Sequence, residues 1–271
     1  MPVPTFPQAV IGESVPRALD LVATLGGSVT VCIHQPFFDG RSSLLGDLML
    51  EVGDREAEAG AVSHSRAHNL TSLFQSQTVQ RGIETTLEQI QGPLEAVEST
   101  LTKRARTHDC SIILPVDGIG IDVPLVQSML FGSGGPVFAL PGRDRALHLD
   151  AVAVAWDGSS AAARAIKDAI PVLQQARQVI VLTAGADRPA GPASVNDLGR
   201  YLRGHGITFE SHRVDAAFGA VGDALQRAAM SRDCGLLILG AYGHSRLREL
   251  VLGGATRAVL ANCQLPVMLS H

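Results

Sequence analysis

Two stretches of the chain carry matching residues at a constant separation. Gly82 corresponds to Gly206 and Cys110 to Cys234, and the offset is the same at both ends, since 206 − 82 = 234 − 110 = 124. Between these points each stretch shows the pattern of a strand, a helix and a second strand. An offset that stays constant over three elements is typical of a duplicated domain. The sequence therefore predicts two similar domains in tandem.

The order of elements predicts the fold class. A helical pattern at residues 14–25 precedes an apolar strand-like run at 29–33, and strands alternate with helices again from residue 151 onward. Such alternation is typical of α/β folds with parallel sheets and right-handed crossovers. We expect domains at residues 1–143 and 144–271, joined through the polar segment around 142–149.

Composition excludes several classes of protein. The 271 residues are 46% hydrophobic and 18% charged, with a net charge of −4, so we expect a well-buried core and no nucleic-acid partner. The sequence shows no leader pattern and no membrane-length apolar segment, so a cytoplasmic protein with no membrane contact is expected. Four widely spaced cysteines indicate interior positions, not a disulfide or metal site.

A glycine-rich segment near the C-terminus is the main candidate for function. The apolar run 236–239 stops at Gly240, Gly243 follows, and Gly253-Gly254 precede a helical pattern. Glycine lets the backbone approach a ligand closely, and the free N–H groups at a helix start favour phosphate. The same spacing also fits two ordinary turns, so both interpretations stay open at this point.

These residues resemble the universal stress protein family in its tandem form. Gly240, Gly243 and Gly253 match the Gly-x2-Gly-x9-Gly motif of the family's nucleotide-binding members, and Asp157 matches an aspartate at the end of the first strand. The resemblance covers residues 151–271 and extends more loosely, through the repeat, to the first half. It implies two open parallel sheets, each five-stranded with helices on both faces, of Rossmann-like type.

The resemblance also implies an adenine-nucleotide site. Asp157 would contact adenine, the backbone near Thr183 would close the base pocket, and Thr256 would help to hold phosphate. The ligand would be ATP or a related adenine nucleotide, with or without Mg²⁺. Asp157 has a second interpretation, as a cap of the helix that follows. The residues expected at the site are Ala155, Asp157, Ser159, Thr183, Leu239, Gly240, Tyr242, Gly243, Gly253, Gly254, Ala255 and Thr256.

Two departures from the family pattern affect this expectation. Gly254 stands where the family has Ser or Thr, so one hydroxyl donor is missing and affinity is expected to fall about tenfold or more. In the first half, Gly12-Glu13 stand near the position of the aspartate, and no glycine cradle follows. We expect no nucleotide in that half.

Three functions remain compatible with the sequence. The first is a nucleotide-binding sensor or regulatory protein of the stress response, the second a nucleotide-free interaction scaffold, and the third an enzyme of adenylyl or phosphoryl transfer. No Walker lysine, nucleophile elbow or metal-ligand set is present in the sequence, so no catalytic residue is assigned and any ATP hydrolysis is expected to be slow.

Family members commonly pair through their last strands. In a tandem chain this contact would become an intramolecular pseudo-dimer, with Phe138 and Met268 near its pseudo-twofold axis. Whether whole chains then form a homodimer is left open.

Overall fold

The computed structural model describes most of the chain. The described residues are 1–4, 10, 12–36, 49–142, 147–184, 192–217, 219–241 and 254–271, with the main chain alone described at 36, 49–57, 94–95 and 192–193.

Strands and helices alternate through both halves, which confirms the α/β class. The first-half elements are β1 (Pro2–Pro4), α1 (Ser14–Leu25), β2 (Val29–Pro36), α2 (Met49–Arg81), β3 (Thr85–Gly92), α3 (Leu94–Ala105), β4 (Ser111–Ile113), α4 (Val123–Gly132) and β5 (Val137–Ala139). The second-half elements are β6 (Ala151–Ala155), α5 (Ser160–Leu173), β7 (Gln178–Ala184), α6 (Pro192–Gly204), β8 (Glu210–Val214), α7 (Val221–Met230), β9 (Leu236–Gly240), α8 (Gly254–Ala261) and β10 (Val267–Ser270).

The second half forms the expected five-stranded parallel sheet, in the order β8-β7-β6-β9-β10. The first half follows the same plan with a break in it. Strands β1, β2 and β3 form a separate parallel sheet, and β4 and β5 join the second-half sheet to give seven strands. Strands β1 and β4 lie close together without ladder pairing. The ten strands among the described residues thus form sheets of three and seven instead of five and five.

The seven-stranded sheet contains one antiparallel pair, at the junction of the two halves. Strand β5 pairs with β10, and Phe138 lies opposite Met268 in the middle of the register. Both side chains are almost fully buried. The final strand of one half therefore meets the final strand of the other.

Both faces of the sheets are covered by helices. One core cluster holds side chains from α1, α2, α5 and α6, and the other holds side chains from α3, α4, α7 and α8. Successive residues of β9 alternate between the two, with Leu236 and Ile238 in the first and Leu237 and Leu239 in the second. A strand buried on both faces has no polar side, which explains the continuous apolar run in the sequence.

Helix α1 spans the predicted residues 14–25. Helix α2 runs for 33 residues, from Met49 to Arg81. Its side chains His64 and His68 are exposed. No helix in the described part of the chain, α2 included, has an apolar stretch that would span a bilayer.

Candidate functional site

A solvent-open cleft lies where the strand order of the second-half sheet reverses. The chain leaves β6 toward β7 on one side and returns through α7 to β9 on the other. Ligands of open parallel sheets bind outside the carboxyl ends of the strands at such a point. The space between these strand ends measures about 450 Å³.

Half of the predicted site residues line this cleft. They come from the end of β6, the end of β9 and the start of α8, which are far apart in sequence. These residues are Ala155, Asp157, Leu239, Gly240, Ala255 and Thr256. Among the described lining residues, Asp157 carries the only ionisable side chain.

Asp157 and Ser159 organise the start of α5. The Asp157 carboxylate accepts a hydrogen bond from the Ser159 backbone N–H at 2.9 Å. Ser159 is the N-cap, and its Oγ accepts from the Ala162 backbone N–H at 3.1 Å. Ser159, and not Asp157, therefore caps α5, while Asp157 stabilises the turn that leads into the helix. Asp157 also borders the cleft, so its hydrogen bond with Ser159 fixes its position at the cleft wall.

Gly240 lies against the backbone of α5. A Cβ atom built at this position would lie 2.3 Å from the Ala162 nitrogen and 2.4 Å from the Ala161 carbonyl carbon. Any larger residue would push β9 and α5 apart. The close approach of strand and helix therefore demands glycine here, in addition to any role toward a ligand.

A second close contact places the start of α8 beside the cleft. A Cβ at Gly222, on α7, would lie 2.5 Å from the Ala255 carbonyl oxygen. This approach brings Ala255 and the buried Thr256 next to the α7 residues of the cleft wall. The first backbone N–H groups of a helix have no acceptor within the helix, and they carry partial positive charge. The cleft thus has a carboxylate on one side and a helix N-terminus on the other.

Sequence reasoning missed the other half of the lining. These residues are Trp156, Ala162, Leu182, Ala184, Val221 and Leu225. Leu182 and Ala184 are two residues apart on β7 and therefore lie on the same face of the strand. Val221 and Leu225 are one turn apart on α7 and therefore lie on the same face of the helix. Trp156 is the chain's only tryptophan and directly precedes Asp157. Its position next to a predicted site residue is the sequence feature that could have identified it as part of the site.

The remaining predicted residues do not line the cleft or cannot be placed. Thr183 is buried between Leu182 and Ala184, which line the cleft, while its own side chain does not. Gly254 is exposed at the start of α8, and a Cβ atom added there would have no described residue within 4 Å. Tyr242, Gly243 and Gly253 lie outside the described residues.

The described residues contain no group of three or more His, Cys, Asp or Glu that could hold a metal ion. All four cysteines are free. Burial raises the pKa of Cys263 to about 12, and its thiol donates to the Leu265 carbonyl oxygen.

The equivalent strand ends of the first half are bridged to each other. Val10, which follows β1, forms an antiparallel bridge with Val116, which follows β4. Val116 also bridges to Gly120 in a tight turn, and both valines are buried. No such bridge joins the described residues that follow β6 and β9 in the second half.

The helix after β4 also differs between the halves. In the first half, Asp122 is the N-cap of α4, and its carboxylate accepts from the Leu125 backbone N–H at 3.0 Å. This helix start already holds an anionic group. The corresponding N-cap position of α8 is residue 253, which lies outside the described residues.

Comparisons with known proteins agree with this architecture. Residues 149–271 match the model of the universal stress protein family. A universal stress protein of Synechocystis sp. is 34% identical over 80 residues, a match that spans 28% of this chain and 27% of that protein.

Solved structures match over the whole length. A universal stress protein from Archaeoglobus fulgidus DSM 4304 has a TM-score of 0.72 at 15% identity, covering 100% of this chain and 97% of the other. A Pseudomonas aeruginosa UCBPP-PA14 protein described as a putative universal stress protein has a TM-score of 0.55 at 15% identity, covering 99% and 91%. At this identity the likeness concerns the fold. Residues 149–271 therefore form a domain of the universal stress protein family.

Proposed function

We propose that this chain binds one ATP, or a related adenine nucleotide, in the cleft and acts as a sensor or regulatory protein of the stress response. The observation that carries the proposal is the pairing, across one cleft, of the Asp157 carboxylate with the N-terminus of α8. Apolar side chains between them suit a purine ring, and the helix start suits phosphate.

The lining suggests how each part of the nucleotide would be held. The base would lie between Leu182 and Ala184 on β7 and Val221 and Leu225 on α7. The amino group of adenine would donate to Asp157. The phosphates would accept from the first N–H groups of α8 and from the Thr256 hydroxyl, which is buried at the cleft wall.

Little in the cleft supports rapid chemistry. Asp157 supplies the only carboxylate among the described lining residues, and one of its oxygens already accepts from Ser159. Mg²⁺ would therefore be carried chiefly by the phosphates, as is common for this ion. We expect slow hydrolysis at most.

The two halves would have different roles. We propose domains at residues 1–143 and 144–271, with β5 and β10 making the internal contact of a pseudo-dimer. The Val10–Val116 bridge and the Asp122 cap both support a first half that binds no nucleotide. That half would instead support the second through the shared seven-stranded sheet.

A nucleotide-free scaffold is the second candidate function. The observation in its favour is Gly254, which leaves the first residue of α8 without a side-chain hydroxyl, so that Thr256 supplies the one in the first turn. In this alternative the cleft would have lost its ligand, as we propose for the first half.

The test is to purify the chain without added nucleotide, denature it, and identify the small molecules released. A Val221→Trp variant fills the cleft wall, and Val79→Trp, at a position 80% exposed on α2, controls for the substitution itself. We expect about one adenine nucleotide per chain from the wild type and the control, and none from Val221→Trp. A wild-type protein that releases none and also fails to bind millimolar ATP would favour the scaffold.

A further inference from the structure

A second cavity lies beside the cleft and shares Trp156 with it. It is a groove between α5 and α6, and it measures about 830 Å³, larger than the cleft. We call this cavity the α5–α6 groove, and the proposed nucleotide site makes no use of it.

The walls of the α5–α6 groove are apolar and partly aromatic. Ile166 and Leu198 are buried at its base, and Trp156 and Tyr201 stand at its sides. Tyr201 is 36% exposed, and its ring packs edge-on against His205 at 4.8 Å. Two aromatic rings beside a buried aliphatic base suit a flat apolar ligand, because aromatic rings pack well against one another.

The orientation of Trp156 is fixed before any ligand arrives. Its indole N–H donates to the Ser194 Oγ at 3.1 Å, and its backbone N–H donates to the Leu182 carbonyl oxygen at 2.8 Å. Ser194 lies on α6, so this hydrogen bond ties Trp156 to one wall of the groove. A side chain held in this way loses little conformational entropy on binding, which favours affinity.

The charges at the rim favour an anion. Asp197 lines the groove, but Arg200 on the same helix neutralises it in an ion pair. Lys167, on α5, is exposed and makes no ion pair within the part of the chain that the structure describes. The rim therefore presents one uncompensated ammonium group above the apolar walls.

We propose that the α5–α6 groove binds a planar aromatic molecule that carries one anionic group, such as an aryl carboxylate. The ring system packs on Trp156, Tyr201 and the aliphatic base, and the carboxylate meets Lys167. Because Trp156 also lines the cleft, occupancy of the groove changes the environment of the cleft wall. The binding itself does not depend on any nucleotide.

The probe pair is naphthalene carboxylate and its neutral carboxamide, titrated against nucleotide-free protein by calorimetry and ligand-observed NMR. An exposed ion pair contributes modestly, so we expect the carboxylate to bind about two- to fivefold more tightly than the carboxamide. Lys167→Met should bring that ratio to about one. Lys103→Met, at an exposed lysine on α3, is the matched control and should leave it unchanged.

Tyr201→Ala should weaken both probes together, because it removes an aromatic wall and leaves the charge. Saturating ATP should not compete with the carboxylate for its site. The proposal is overturned if neither probe binds at millimolar concentration, if Lys167→Met leaves the ratio at its wild-type value, or if ATP displaces the carboxylate competitively. The last result would place the probe in the cleft.

Discussion

Replacing Gly254 by serine tests whether phosphate lies at the start of α8. The family carries Ser or Thr at this position, and the structure offers room for it. A side-chain carbon at Gly254 meets none of the described residues within 4 Å, and the residue is exposed. Gly254→Ser can therefore add a hydroxyl group without displacing any neighbour that the structure describes.

The size of the effect follows from the hydrogen bond gained. A hydrogen bond to a charged group contributes about 1.5–3 kcal/mol, and solvent exposure at Gly254 favours the lower end of that range. Since about 1.4 kcal/mol corresponds to a factor of ten, we expect ATP to bind about tenfold more tightly to Gly254→Ser.

The assay uses the chain's only tryptophan. Trp156 lines the cleft, so its emission should change when a purine enters. Gly254→Ala is the control, because it adds the same carbon without the hydroxyl. Equal ATP affinities for the Ser and Ala variants would refute the reasoning, since the hydroxyl would then have no phosphate to contact.

Three further predictions concern the packing and ionisation of the fold. Gly240→Ala should lower the free energy of unfolding by about 1–3 kcal/mol in urea, because its Cβ would overlap the backbone of α5; a change below about 0.5 kcal/mol would contradict the close packing. Burial lowers the pKa of His34 in the folded protein. The free energy of unfolding should therefore decrease as the pH falls below about 6.5, the pKa of histidine in the unfolded chain. His34→Gln should remove this decrease, and the control His64→Gln should retain it. An identical pH dependence in both variants would exclude His34 as its source. With a pKa of about 12, Cys263 should react with iodoacetamide at pH 8 about a thousandfold more slowly than an unperturbed thiol. Peptide mapping of the alkylated protein measures this rate. Rapid labelling of the native protein would contradict the prediction and show that the thiol is accessible.

The sequence predicted the second half well because its signals are local. The strand β9 ends at Gly240 as expected, and Asp157 comes to the same crevice. The end of β9 follows from the local apolar run that stops at glycine, whereas the position of Asp157 at this crevice was implied by the resemblance to the family. The reason for glycine at residue 240 was not predictable, because the contact with Ala162 depends on how closely α5 packs on the sheet.

The walls of the cleft were missed for a related reason. Val221 and Leu225 line it because α7 and α8 approach each other closely at Gly222. In the first half, the residue that corresponds to Gly222 is Glu98, since 98 + 124 = 222. The Glu98 carboxylate accepts a hydrogen bond from the Ser128 hydroxyl of α4 at 3.2 Å. A glycine in one copy and a glutamate in the other is visible in sequence, but its effect on helix packing requires the structure.

The first half shows the limit of a repeat as a guide. The offset of 124 predicted a strand, a helix and a second strand in each half, and both halves contain them. It did not predict that β4 and β5 would join the sheet of the other half. The Val10–Val116 bridge joins residues far apart in the chain, and no periodicity reports such a contact. The sequence showed that this half has no glycine cradle, but it did not show that Val10 and Val116 form a bridge there.

The central claim is that this chain has one nucleotide site, in the cleft of its second half. The most direct test is calorimetric titration of the nucleotide-free chain with ATP, comparing wild type, Val221→Trp and Val79→Trp. We predict one ATP per chain for the wild type and for Val79→Trp, and no binding to Val221→Trp. Two sites per chain, or undiminished binding to Val221→Trp, would contradict the account.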